Sequence, residues 1–321
     1  MLRSRVADSL YWIGRYLERA EYTARLIDVR LDLGLDRKSN ADGWDFAPLY
    51  SMVTLNSTFA QEPAPAAPAS PAALSDALVF DAANRNAVLA CVTAARENAG
   101  QVREEISSDM WEQVNALYLR LRQARDEGGW SARPHYIFRL VIDGVHLFEG
   151  VTDETMGHGE GWQYLQLGRF LERAGATAAL VDLHFKLESL LPSSHAEWVG
   201  LLRSCSALEA YCRCYTADLR PERIAEFLLL NSEFPRSVRF AAARVESALR
   251  AIVGLTGGGA GGRTERLAGR LHASLDYGQV DEILSEDPHV YLATIGHYCA
   301  QIHSAVYQSY VTYPIELALP A

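Results

Sequence analysis

Apolar residues near the start of the chain recur in alternating steps of four and three: Val6, Leu10, Ile13, Leu17, Ala20, Ala24, Ile27 and Leu31. That spacing predicts one long helix whose apolar seam packs nearly parallel or antiparallel to a neighbour. A second seam follows at Tyr164, Leu167, Leu171, Ala174, Ala178, Val181 and Phe185. Both copies hold alanines at the same two seam positions, where backbones can approach closely, so the two helices should meet each other or equivalent partners. Further helical spacing covers 83–107, 109–126, 134–150, 159–191, 196–218, 221–230, 235–252, 264–276 and 288–312. Boundaries are expected at Ser108 or Asp109, at Pro134 and just before Pro192. No segment alternates as a strand would. The fold class is therefore all-α, a single large bundle of roughly ten helices.

The two seams belong to a repeat. Residues 11–20 read Tyr-Trp-Ile-Gly-Arg-Tyr-Leu-Glu-Arg-Ala and residues 165–174 read Leu-Gln-Leu-Gly-Arg-Phe-Leu-Glu-Arg-Ala, and 11–33 against 165–187 gives eleven identities. A period this long is no solenoid repeat, which runs roughly 20–50 residues. It implies one domain over 1–321 with half-repeats at about 1–150 and 151–321. Two segments read as flexible loops: 61–75, with four prolines among alanines, and the glycine-rich 254–262, which lacks the Lys-Ser/Thr ending of a phosphate-binding loop.

Composition narrows the function. A net charge of −10 argues against a general nucleic-acid binder. No apolar run is long enough for a transmembrane span, and an odd set of five cysteines without an apolar leader points to the cytoplasm. Cys205 and Cys212 are seven apart and should share one helix face. Cys212 and Cys214 lack a matching second pair, and His146 and Glu149, spaced as in bundle metal sites, also lack one, so no metal is expected. His297 and His303 sit on a tyrosine-rich last helix that reads as packing or interface.

A helical wheel centred on Leu17 puts Arg15 and Arg19 opposite the seam with Asp8 and Tyr22, beside Tyr11 and Trp12, and Glu18 at the flank. Such a face is not a freely solvated one, so its arginines should be enclosed and in need of partners. Glu18 can reach Arg15 within the helix. Asp28 and Asp182 fall inside the apolar seam and are available to an arginine from another helix. Val102-Arg103 and Val238-Arg239 follow the two repeat motifs at comparable distances, giving two half-sites. The binding candidates are Arg15, Arg19, Arg96, Arg103, Arg169, Arg173, Arg236, Arg239 and Trp162; the candidate acid–base residues are Glu18, Glu104 and Glu172. They form either a buried salt-bridge lattice that fixes register or a pocket for a charged ligand or peptide end.

Several strings together resemble the bacterial alpha-E family, an all-helical group. They are Ser4-Arg5-Val6-Ala7 through Glu21, Arg96-Glu97-Asn98, Val102-Arg103-Glu104, Trp111, Asn115, Gly161-Trp162, Gly168-Arg169, Leu171-Glu172-Arg173-Ala174 and Phe234-Pro235-Arg236-Ser237-Val238-Arg239-Phe240. Gly100 stands where family members usually have an arginine. The resemblance implies a context of circularly permuted ATP-grasp proteins, often beside a transglutaminase-like protease, for synthesis or processing of a peptide or amide tag. ATP and magnesium would belong to that ligase, and no cofactor is expected in this chain. Three functions compete: a non-catalytic subunit presenting a peptide or a small carboxylate or amine acceptor, a free-standing enzyme acting on a peptide or amino-acid amide through an Arg/Glu pocket, and a scaffold with fully paired arginines.

Overall fold

The repeated segments become the two longest helices, α1 (Ser4–Asp36) and α6 (Glu160–Leu190), and they pack against each other. In the computed structural model the described residues are 2–36, 71–128, 133–190, 195–216, 218–257, 262–285 and 287–311. Between the long helices come α2 (Pro71–Val79), α3 (Val88–Gln101), α4 (Ser108–Glu127) and α5 (Pro134–Thr155). After them follow α7 (His195–Ser204), α8 (Leu208–Tyr215), α9 (Pro221–Leu230), α10 (Val238–Thr256), α11 (Arg263–Asp276), α12 (Val280–Ser285) and α13 (Pro288–Val306). A π-helical turn, Tyr307–Val311, lies against α1. The described residues hold no strand, and the fold is all-α.

Neighbour relations around α1 recur around α6. Helix α1 packs on α3 and α5, which α4 joins; α6 packs on α10 and α13, which α11 joins. Each long helix is therefore buried along most of its length. Along α1 the seam residues Val6, Leu10, Ile13, Leu17, Ala20, Ala24 and Ile27 are buried, and so are Arg15, Glu18 and Arg19 on the other face.

Glycines bring the backbones of α1 and α6 into close approach. A Cβ on Gly14 would be driven into the carbonyl oxygen of Leu165, and one on Gly168 into that of Tyr11. Farther along, the Tyr22 hydroxyl donates to the Ala176 carbonyl (3.2 Å), a residue 154 positions away and thus its own counterpart in the repeat. Paired glycines and paired counterparts fix the helices in one register.

Local chemistry accounts for the boundaries that differ from expectation. The segment 83–107 is helical only from Val88 to Gln101, because the Asp81 and Asn84 side chains accept from the amides of Ala83 and Asn86 and hold a turn. Ser107, one residue before the expected start, caps α4 by accepting from the Met110 amide (3.1 Å). The segment 196–218 breaks at Ser206, whose φ is +50°, so Cys205 and Cys212 lie on opposite sides of the break. Pro71–Ser75 of the proline-rich segment starts α2, and 254–256 of the glycine-rich segment completes α10, which ends at Gly257 with φ +69°. The short α12 adds to the expected set. Residues 61–70 and 258–261 and the stop at Pro192 lie outside the described residues.

Gly14→Ala and Gly168→Ala are each expected to lower stability by about 3 kcal/mol or to prevent folding, because backbone must move. Gly254→Ala, with nothing within 4 Å of its added Cβ, should be neutral or stabilise by up to about 1 kcal/mol. Urea unfolding of the three variants checks both signs.

Candidate functional site

At the crossing, each long helix gives its carboxylate to the other's arginines. Glu172 of α6 accepts from Arg15 Nε (2.7 Å) and from Arg19 Nε and Nη2 (2.7 and 3.1 Å). Glu18 of α1 accepts from Arg173 Nε and Nη2 (2.6 and 2.5 Å), with Arg236 Nη1 3.5 Å and Arg169 Nε 3.9 Å away. The expected Glu18–Arg15 contact within α1 is replaced by this exchange. A carboxylate three residues beyond an arginine on both helices makes the exchange reciprocal. Glu18, Glu172, Arg15, Arg19 and Arg173 are all buried.

Around Glu172 the enclosure is aromatic and neutral. Tyr11 Oη lies 2.8 Å from His303 Nδ1, and Arg15 Nη1 lies 3.1 Å from the same nitrogen and 3.3 Å from Tyr11 Oη. Arg15 therefore donates, Tyr11 donates, and the lone pair of Nδ1 accepts, leaving the imidazole proton on Nε2. The ring stacks on Tyr11 (5.7 Å) and meets Trp12 edge-on. Asn86 Oδ1 accepts from Arg19 Nη1 (2.6 Å).

Around Glu18 the enclosure is charged and reaches the surface. Arg169 Nη2 donates to Glu149 (2.6 Å), and Arg236 Nη2 lies 2.9 Å from Glu21 Oε1, an oxygen that also accepts from Arg25. His146 Nε2 stands 3.5 Å from that oxygen, and half of the His146 side chain is exposed. Arg173 and Thr177 also donate to the carbonyls of Pro235 and Arg236 (both 3.3 Å), which seats the loop before α10 against α6.

Electrostatics follow from this packing. Burial pushes the Glu18 carboxyl up, but the guanidinium groups of Arg173, Arg236 and Arg169 outweigh it and hold it at about 2. Glu172 is likewise lowered: its burial is outweighed by Arg19 and Arg15. Burial, reinforced by Arg15, lowers His303 to about 3; burial and Arg30 do the same to His184. His184 accepts from Arg30 through Nε2 (2.8 Å) while Nδ1 donates to the Leu180 carbonyl (2.9 Å).

Other expected site residues are placed elsewhere. Arg96 donates to Asn115 Oδ1 (2.7 Å) and lies over Trp111 and Tyr118; exposed Arg103 lies over Trp111, and Glu104 is exposed. Gly100 faces the Trp111 ring. Arg239 pairs with Asp276 and with the Leu230 carbonyl, and Trp162 stacks on His158 (4.3 Å). Val102 ends α3 whereas Val238 begins α10, so the two Val-Arg pairs are not equivalent half-sites. Asp28 and Asp182 meet histidines rather than arginines: His135 of α5 and His289 of α13, each at 2.6 Å. Both contacts span 107 residues, one in each half, and the helical spacing marks only the aspartates. Among the described residues no group of three or more His, Cys, Asp or Glu side chains is arranged for a metal, and no helix is long and apolar enough to cross a membrane.

A family model described as a predicted alpha-helical domain with a conserved ER motif matches residues 2–311. The chain belongs to the Alpha-E family. Of its Glu-Arg pairs, 18–19 and 172–173 form the buried exchange, whereas Glu222-Arg223 and Glu265-Arg266 lie outside it. Relatives of the chain include an uncharacterized protein of Mycobacterium bovis and uncharacterized proteins of two Mycobacterium tuberculosis strains. Each is 22% identical over 98% of this chain. The chain spans only 37% of the length of those relatives. No solved structure matches it.

Two outcomes test this Alpha-E site. Glu172→Gln leaves two buried arginines without their carboxylate and should cost about 3–5 kcal/mol, whereas Glu104→Gln should stay within about 0.5 kcal/mol in the same denaturation assay. His184 keeps a folded pKa near 3 against an ordinary 6.5. The unfolded chain thus binds more protons in that window, and stability falls as pH drops below 6.5. His184→Gln should flatten ΔG against pH between about 6 and 5 by up to about 1.4 kcal/mol per unit.

Proposed function

We propose that this chain is the non-catalytic helical module of an ATP-dependent amide- or peptide-ligase system, docking on a circularly permuted ATP-grasp protein and presenting the acceptor. The observation that carries this reading is the pinning of Glu18 and Glu172. Each is buried, held by two or more guanidinium groups and kept ionised far below neutral pH. A general acid or base needs a pKa near the working pH and room to reach a substrate proton. Neither carboxylate has these, which weighs against the free-standing enzyme. Relatives that extend well beyond the matched region support a module working within a larger assembly.

The chemistry divides accordingly. The ligase supplies ATP, magnesium and the activated acyl group. The module supplies a rigid helical body, braced by the α1–α6 exchange, with a charged edge at His146, Glu149 and Arg169 where an acceptor can be met. Full pairing around Glu172 favours a second reading, a pure scaffold in which the exchange does nothing but fix register.

Co-expression with a circularly permuted ATP-grasp protein from the same source should give a stable complex, and ATP consumption by that protein should rise when this chain is added. A complex without any change in ATP use would select the scaffold. Failure to associate, with ATP use unchanged, would overturn the module reading.

A further inference from the structure

The Arg/Glu exchange is copied on both helices, but the groups surrounding it are not. Counting 154 residues forward, the spacing of Tyr22 and Ala176, takes Glu21 to Gly175, Arg25 to Ala179, His146 to Ala300 and Glu149 to His303. Arg236, two residues before Val238 of α10, matches Asn86, two before Val88 of α3. The ring around Glu18 has thus gained charged groups that the ring around Glu172 does without. Holding the two helices in register does not require them.

Those added charges are not all satisfied. Among the described residues, Glu21 Oε2, Arg25 Nε and Arg169 Nε are buried without a hydrogen-bond partner. Around Glu172 none of the corresponding atoms of Arg15, Arg19 or Glu172 is so left. Orphaned polar atoms on ionised groups are costly, and three in one cluster need an explanation. The Glu21 side chain is 1% exposed, those of Arg25 and Arg169 keep 13% and 19%, and that of His146 49%, so the three orphaned atoms are themselves closed off and the cluster meets solvent at its His146 edge. Four guanidinium groups (Arg25, Arg169, Arg173, Arg236) face three carboxylates (Glu18, Glu21, Glu149). Burial first, and then the neighbouring Arg236, lower Arg25 to about 10.

We infer that this edge binds an α-carboxylate flanked by an N–H donor: a free amino acid or the C-terminal residue of a peptide. The carboxylate takes the free Nε–H groups of Arg25 and Arg169 and offsets the surplus charge, in the charge-assisted geometry that guanidinium groups favour. The N–H on the same carbon supplies the donor that Glu21 Oε2 lacks. His146, its pKa lowered by burial in the first place and by Arg25, stands beside Glu21 at the exposed edge without adding charge and would move aside as the ligand enters. The inference names the acceptor for the ligase-module reading and rests on that reading only for the ligand's fate. Binding is measured on the isolated full chain, so failure here and failure of complex formation are separate results.

The experiment is calorimetric titration of the full chain with the common L-amino acids, their N-acetyl forms, acetate and methylammonium. At least one amino acid or N-acetyl amino acid should bind saturably, and acetate and methylammonium should not. Tighter binding by an N-acetyl form assigns a peptide end; tighter binding by the free form assigns an amino acid. Arg25→Lys keeps the charge but removes the Nε donor and should weaken binding about tenfold or more, as should Glu21→Gln, while Arg103→Lys leaves it unchanged. Arginine Nε–Hε resonances of Arg25 and Arg169 should shift on titration, a readout that holds if Glu21→Gln fails to fold. No saturable binding up to about 10 mM, or full binding by Arg25→Lys, would overturn the inference and leave ordered water as the occupant.

Discussion

A carboxylate cannot be buried alone, and this fold turns on two that are not. Glu18 and Glu172 are buried where α1 crosses α6, each held by arginines from the other helix. Coulomb attraction offsets desolvation only while both partners stay in place, so the pair contributes less as net stability than as a penalty on every other arrangement. A slip of one turn along the interface would strand a carboxylate against apolar side chains. The exchange therefore specifies register more than it adds free energy.

Glycines make the exchange possible. Gly14 and Gly168 let each backbone lie against the opposite carbonyl, and that closeness lets Arg15, one residue beyond Gly14, and Arg173, five beyond Gly168, reach across the interface. Charge and close packing act on the same few residues. The outer helices then have a fixed axis on which to bury their own apolar faces, α3 and α5 on α1, α10 and α13 on α6.

Much of this was legible in the sequence, and the misses have physical causes. Helical spacing is a local property, so the all-α class and the long helices could be read directly, as could the enclosure of Arg15 and Arg19 from the company of Tyr11, Trp12 and Tyr22. The crossing of Arg15 to Glu172 could not, because an i, i+3 contact within α1 is equally allowed by spacing alone. Glu21, Arg25 and Asn86 carry no repeated signal, since their counterparts are Gly175, Ala179 and Arg236. His303 sits on a tyrosine-rich helix where a packing role was the simpler reading. A sign was present in the offset: 154 residues before His303 is Glu149, beside Arg169 as His303 is beside Arg15.

Synthesis imposes an order on this arrangement. The counterparts that meet across the crossing lie 154 residues apart in the chain. At ordinary translation rates that separation is roughly 8–30 s. Throughout that interval the first helix has left the ribosome while the second has not been made. Its arginines and glutamate must stay hydrated, because nothing yet synthesised can take them out of water. The keystone of the finished bundle therefore cannot form until the second half has begun to emerge, and the first half waits, partly open, for it.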